Sequence, residues 1–131
     1  MNFLVNLFDL RGLKFWIVAL AVGLNLVLTG LFFVGMNALL AQRGGWANGM
    51  DIFLMLGVFV LSALIGFGFA YLTKSARGVS YAVWGAIGSF MMTTVLLYEA
   101  GILAFLVAVM ALLGGYNGGV VGQRLSLKRL K

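Results

Sequence analysis

The sequence predicts an all-α membrane protein, a single domain (1–131) of four transmembrane helices in a compact bundle. Three observations carry that prediction. The chain is 63% hydrophobic and 9% charged, whereas a soluble domain has about 45–50% apolar and about 25% charged residues. Its nine basic and three acidic residues all fall outside four charge-free stretches, 15–41, 52–73, 78–98 and 100–123. Each stretch is long enough to cross a hydrocarbon core, which takes about 20 apolar residues. None shows the polar stripe of a soluble bundle helix or the alternation of a barrel strand. A mean hydropathy of +1.12 likewise excludes a disordered chain.

In chain order, residues 1–12 read as a short amphipathic interfacial helix. Phe3, Leu4, Leu7, Phe8 and Leu10 fall on one side, with Asn2, Asn6 and Asp9 opposite. Gly12 then permits a bend into the first span. A signal peptide does not fit, because the following apolar run far exceeds the 7–15 residues of an h-region and no small-x-small cleavage site follows. At 1.5 Å per residue the first span reaches roughly 40 Å, so it must tilt or protrude. Residues 41–50 make the one sizeable loop on the far side. The second span ends at a basic turn, Lys74 to Arg77, and Glu99 marks the tight turn between the third and fourth spans. Residues 124–131 form a basic tail.

Basic residues orient the bundle. Arg11, Lys14, Lys74, Arg77, Arg124, Lys128, Arg129 and Lys131 flank one end of the four spans, while the other end holds Arg43, Asp51 and Glu99. The positive-inside rule makes the first end cytoplasmic, with both termini inside. Trp16, Tyr71 and Tyr81 would lie at the inner interface, Trp46 and Tyr98 at the outer. These eight cations are therefore expected to meet anionic lipid headgroups. The basic tail is too small a patch to read as a nucleic-acid site.

Inside the membrane, small residues recur at helical spacing. The fourth span carries Gly114, Gly118 and Gly122, with a second row of Ala111, Gly115 and Gly119 beside it. The second span carries Ser62, Gly66 and Ala70, and the third Gly78, Ala82 and Ala86 with Gly85 and Ser89 alongside. Such rows let backbones approach closely where lipid supplies no hydrophobic drive for association. Packing within one bundle and self-association through the fourth span both remain open. Ala63-Leu64-Ile65-Gly66 parallels Ala111-Leu112-Leu113-Gly114. This weak repeat leaves room for two helical hairpins related by an axis along the membrane normal.

Residues 62–125 resemble a family of small four-helix membrane proteins of Gram-positive bacteria whose function is uncharacterised. The resemblance rests on Gly66-Phe67-Gly68-Phe69-Ala70, the turn Lys74 to Arg77, Gly78, Trp84-Gly85-Ala86-Ile87-Gly88, and Leu113-Gly114-Gly115-Tyr116-Asn117-Gly118-Gly119. It implies the four-helix architecture alone and brings no active residues; the location expected of the chain is a bacterial cytoplasmic (inner) membrane. The Thr-Thr-Phe-Ser run of fluoride channels and the intramembrane Glu of small multidrug pumps are both missing from the sequence.

Chemistry has few parts to work with. The chain has no Cys and no His, and its carboxylates are Asp9, Asp51 and Glu99, none within a span. A hydrolase needs an activated nucleophile with its base, and nucleotide binding needs a G-x-x-x-x-G-K-[ST] loop. Neither arrangement is present, so no enzyme activity, metal or cofactor is expected. Asn25, Thr29, Ser89, Thr93 and Asn117 are the neutral polar residues that would line a narrow polar path, or else satisfy one another and their own backbones. Three functions stay open. The foremost is a structural or accessory subunit packing by small-residue faces within a larger or homo-oligomeric membrane complex. A small oligomeric channel or transporter comes second, and a holin-like membrane-perturbing protein third.

Overall fold

A computed structural model describes residues 5, 8–9, 11–42, 44, 50–74 and 77–129. Four helices make up the bundle: α1 (Phe15–Gln42), α2 (Met50–Leu72), α3 (Gly78–Leu96) and α4 (Ile102–Arg129). All four are long and apolar enough to cross a membrane, and no strand occurs among the described residues. The chain is therefore a four-span, all-α membrane protein. Nothing interrupts the helices, since the sequence has no proline to remove a backbone donor.

The helix ends depart from the sequence boundaries most around the α3–α4 turn and at the end of α4. The third helix stops at Leu96, and a single 3-10 turn, Tyr98–Ala100, precedes Gly101. Gly101 has φ +63°, a conformation glycine adopts without a Cβ penalty, and α4 starts one residue later. At the other end α4 continues to Arg129, so the described part of the basic tail is helix. The charges that begin at Arg124 end the apolar run but do not break a helix. Lys128 and Arg129 in the last turn suit its partial negative charge. Of the expected N-terminal helix, Val5 and Phe8 are helical and exposed. Residues 1–4, 6–7 and 10, with Arg43, Trp46 and Lys131, lie outside the described residues.

The most extensive pair is α2 with α4, followed by the antiparallel pair α3 with α4 and then α1 with α3. α1 packs chiefly on α3, α2 chiefly on α4, and α3 also packs along α4 and, less, along α2. Ala21 lies beside Gly85, and Thr29 beside Ser89, so contacts advance in the same direction along both helices and α1 and α3 are parallel. Gly114, Gly118 and Gly122 face Phe59, Ala63 and Phe67 in the same way, so α2 and α4 are parallel too. The consecutive helices α1 and α2 barely touch. They meet toward the end holding Asp51, where Phe33 joins Leu54, Val58, Val107 and Ala111 in an apolar cluster and the Phe32 ring covers Gly57.

Of the two hairpins considered from the sequence, then, α3–α4 is packed and α1–α2 is not. A rotation relating the halves would require both hairpins to pack alike, so the repeat is not reflected in a symmetric bundle. The reason is local. α2 carries the small residues that fit α4, whereas α1 carries the polar groups that fit α3.

Candidate functional site

Three places hold the residues that the sequence singles out. The first is the seam between α1 and α3. Gly85 and Gly88 bring α3 against α1: a Cβ on Gly85 would lie 2.9 Å from Asn25 Nδ2 and 3.0 Å from Ala21 Cβ. That approach puts Ser89 within reach of two α1 side chains. The Ser89 hydroxyl donates to Asn25 Oδ1 at 2.8 Å and shares a 2.7 Å hydrogen bond with Thr29 Oγ1. Asn25 Nδ2 in turn donates to the Ala21 carbonyl at 2.8 Å. All three side chains are buried. The single Ser89 proton goes to Asn25, so the Thr29 hydroxyl donates to Ser89, and these three buried side chains are all paired.

Thr93, one turn further along α3, is fully buried, and its Oγ1 has no partner. Asn117 is not part of this seam. It is exposed on α4, and its amide donates to the Leu113 carbonyl at 2.8 Å on its own helix. Four of the five residues considered for a polar path therefore gather at one interface, and the fifth faces outward. The hydrogen bonds among Asn25, Thr29 and Ser89 fasten α1 to α3.

The second place is α4, whose two rows of small residues serve two different neighbours. Gly114, Gly118 and Gly122 lie against the backbone of Phe59, Ala63 and Phe67 on α2. Each glycine Cα faces a carbonyl oxygen, the arrangement of Cα–H···O contacts at close helix crossings. Gly115 and Gly119 face Ala86, Ala82 and Val79 on α3. Ser62, Gly66 and Ala70 fill the junction. Ser62 Oγ donates to the Ala111 carbonyl at 2.6 Å, a Cβ on Gly66 would lie 2.6 Å from the Gly115 carbonyl oxygen, and Ala70 abuts Gly78 and Gly122. The density of glycine in α4 thus reflects two partners within one chain.

The third place is the end that carries the basic residues. Arg11, Lys14, Lys74, Arg124, Lys128 and Arg129 are exposed there. Arg77 instead turns inward and donates to the carbonyls of Asp9 and Arg11, holding the N-terminal segment on the start of α3. Tyr81 belongs to the same clasp. It is 4% exposed and accepts a 2.8 Å hydrogen bond from the Lys14 backbone N–H, so it is a packing residue rather than part of an aromatic belt. Phe8 completes the clasp edge-on to Trp84, with ring centroids 6.0 Å apart.

Between the last turns of α2 and α4 a cleft of about 300 Å³ opens, lined by Tyr71, Lys74, Ser126 and Arg129. Sequence reading did not single out Ser126 or Gln123. Gln123 Oε1 accepts from the Val79 N–H at 2.8 Å, satisfying one of the donors left over in the first turn of α3. Neither role has a sequence signal, because both depend on how α4 lies against its neighbours. Among the described residues no group of three His, Cys, Asp or Glu could hold a metal ion. No protein-family model, curated protein or solved structure matches this chain.

Proposed function

We propose that the chain is a structural or accessory subunit of a membrane complex, seated in a cytoplasmic membrane with both termini inside. One observation carries the reading: Asn25, Thr29 and Ser89 bond to one another, and the small residues of α2, α3 and α4 face one another. What the protein offers its surroundings is an apolar perimeter of large side chains. Conduction through a single chain would have to break that network and part glycine contacts that hold backbone against backbone.

The partner surface that this reading favours is α1, not α4. α1 leans on α3 along one side, and its outer face exposes Leu20, Val27, Leu31 and Val34. Gly23 lies in the same stripe, and a Cβ there would meet nothing within 4 Å. A small residue among large ones admits a neighbouring helix at close range. Native mass spectrometry after mild extraction tests the proposal. The expected result is a stoichiometric complex, with itself or with another membrane subunit, that Gly23→Leu dissociates and Gly68→Leu leaves intact. A strictly monomeric protein that passes ions in liposomes would overturn it in favour of a channel.

A further inference from the structure

We propose that the cleft between the last turns of α2 and α4 binds one phosphate group. Its volume, about 300 Å³, lies at the lower end of the roughly 300–1,000 Å³ typical of ligand pockets. The charge in its lining is of one sign: Lys74 and Arg129 contribute to the wall, and none of the chain's three carboxylates does. The Arg129 guanidinium sits over the Tyr71 ring, 5.6 Å from its centroid, and Phe67 stacks on Tyr71 at 5.7 Å. That stack holds a long cationic side chain in place, which lowers the ordering cost of binding.

The decisive group is Ser126. It lines the cleft and is 2% exposed, and its Oγ has no hydrogen-bond partner. A buried hydroxyl left without an acceptor costs about what a lost hydrogen bond costs. A phosphate oxygen would supply that acceptor. Planar guanidinium, ammonium and hydroxyl together form a donor set that suits a tetrahedral anion. Lys74 adds a further sign of constraint. It sits just past the end of α2 with φ +48°, a left-handed conformation in which glycine is the usual residue. A lysine there keeps a cation at the cleft despite backbone strain.

The cations also offset the partial negative charge of two helix C-termini, and the test must separate that role from binding. Lys74→Gly does so, because it relieves the strained backbone while removing the ammonium. It should raise the melting temperature and weaken phosphate binding together. The assay uses full-length protein in a neutral detergent, titrated separately with phosphatidylglycerol and with inorganic phosphate, and read by native mass spectrometry and by thermal shift.

One bound phosphate group per chain is expected. Arg129→Gln and Ser126→Ala should each weaken it roughly tenfold, the loss of a charge-assisted hydrogen bond. Lys128→Gln, which alters an exposed cation outside the cleft, should weaken it no more than about fivefold, as general surface attraction allows. Saturable binding of phosphatidylglycerol alone identifies a lipid headgroup as the source, and binding of inorganic phosphate identifies a soluble one. Absence of saturable binding by either, or equal loss in the Lys128 and Arg129 variants, would overturn the site. The subunit role proposed above does not depend on this result, nor this result on it.

Discussion

A single methyl group placed at Gly118 tests the α2–α4 interface. A Cβ at that position would overlap the carbonyl of Ala63, with the carbonyl carbon at 2.7 Å and the Ala63 Cα at 2.8 Å. Ordinary contact begins at 3.4 Å, so the two backbones must part. The carbonyl oxygen lies nearer still, so the separation exceeds about 1 Å and forfeits more than about half of each dispersion contact it opens. The loss is shared, because Gly114 and Gly122 lie against α2 one turn to either side. Overpacking of this kind costs about 1–3 kcal/mol. Replacing glycine by alanine returns up to about 1 kcal/mol of helix propensity.

With the overlap at the upper end of that range, the net expectation for Gly118→Ala is a loss of about 2 kcal/mol. Gly68→Ala is the matched control, since a Cβ on Gly68 meets nothing within 4 Å. It should be neutral or stabilising by up to about 1 kcal/mol. Reversible unfolding in mixed micelles, followed by far-ultraviolet circular dichroism, measures both. The branched side chain of Gly118→Leu should disrupt the interface further. Gly118→Ala as stable as the wild type would refute the close-contact reasoning, because the same substitution would then be indifferent to what faces it.

Other outcomes follow from the polar seam and from the charges. Ser89→Ala removes both interhelical hydrogen bonds of the α1–α3 network. It should cost about 1 kcal/mol, since such bonds in membrane bundles average near 0.6 kcal/mol, and a double-mutant cycle with Asn25→Ala should show coupling between the two sites. Thr93→Val deletes a buried hydroxyl that has no partner. It should be neutral or stabilising by up to about 1 kcal/mol in the same unfolding assay. The chain has no native cysteine, so single cysteines report topology directly. One replacing Glu99 should react with an impermeant maleimide from outside the cell and one replacing Lys128 should not, and the reverse pattern would overturn the orientation by basic residues.

Helix existence was legible because it depends on local quantities. The charge-free stretches mark all four helices, and the basic residues group at one end of the bundle as the sequence requires. Helix ends were less legible. Charge begins at Arg124 and ends the apolar run, whereas a helix ends where its backbone bonds stop, five residues later at Arg129. The polar residues divided by face. Asn25, Thr29, Ser89 and Thr93 share one interface, yet Asn117 has the same residue type and a similar apolar setting and faces outward. Only the angle at which α4 meets α2 and α3 decides that, and periodicity along one helix does not contain it.

Partner choice in this bundle follows from where small residues stand: the consecutive pair α3–α4 packs through Gly115 and Gly119, whereas the consecutive pair α1–α2 barely touches. A short connection favours pairing of consecutive helices, and in water a hydrophobic face would reward it. In lipid the large apolar residues of α1 gain almost nothing by touching α2, because the bilayer solvates them equally well. Contacts that lipid cannot imitate must decide: backbone against backbone at glycine, and hydrogen bonds between side chains. α2 and α4 have the first kind in three successive turns, and α1 and α3 have the second kind at Asn25, Thr29 and Ser89. Both pairs are parallel and non-consecutive, and α3, the most buried helix, joins them through Ala82 and Ala86. Filling Gly118 and deleting the Ser89 hydroxyl should thus release different helices, α2 from α4 in one case and α1 from α3 in the other. Because the two seams share no side chain, their energetic costs should add when the substitutions are combined.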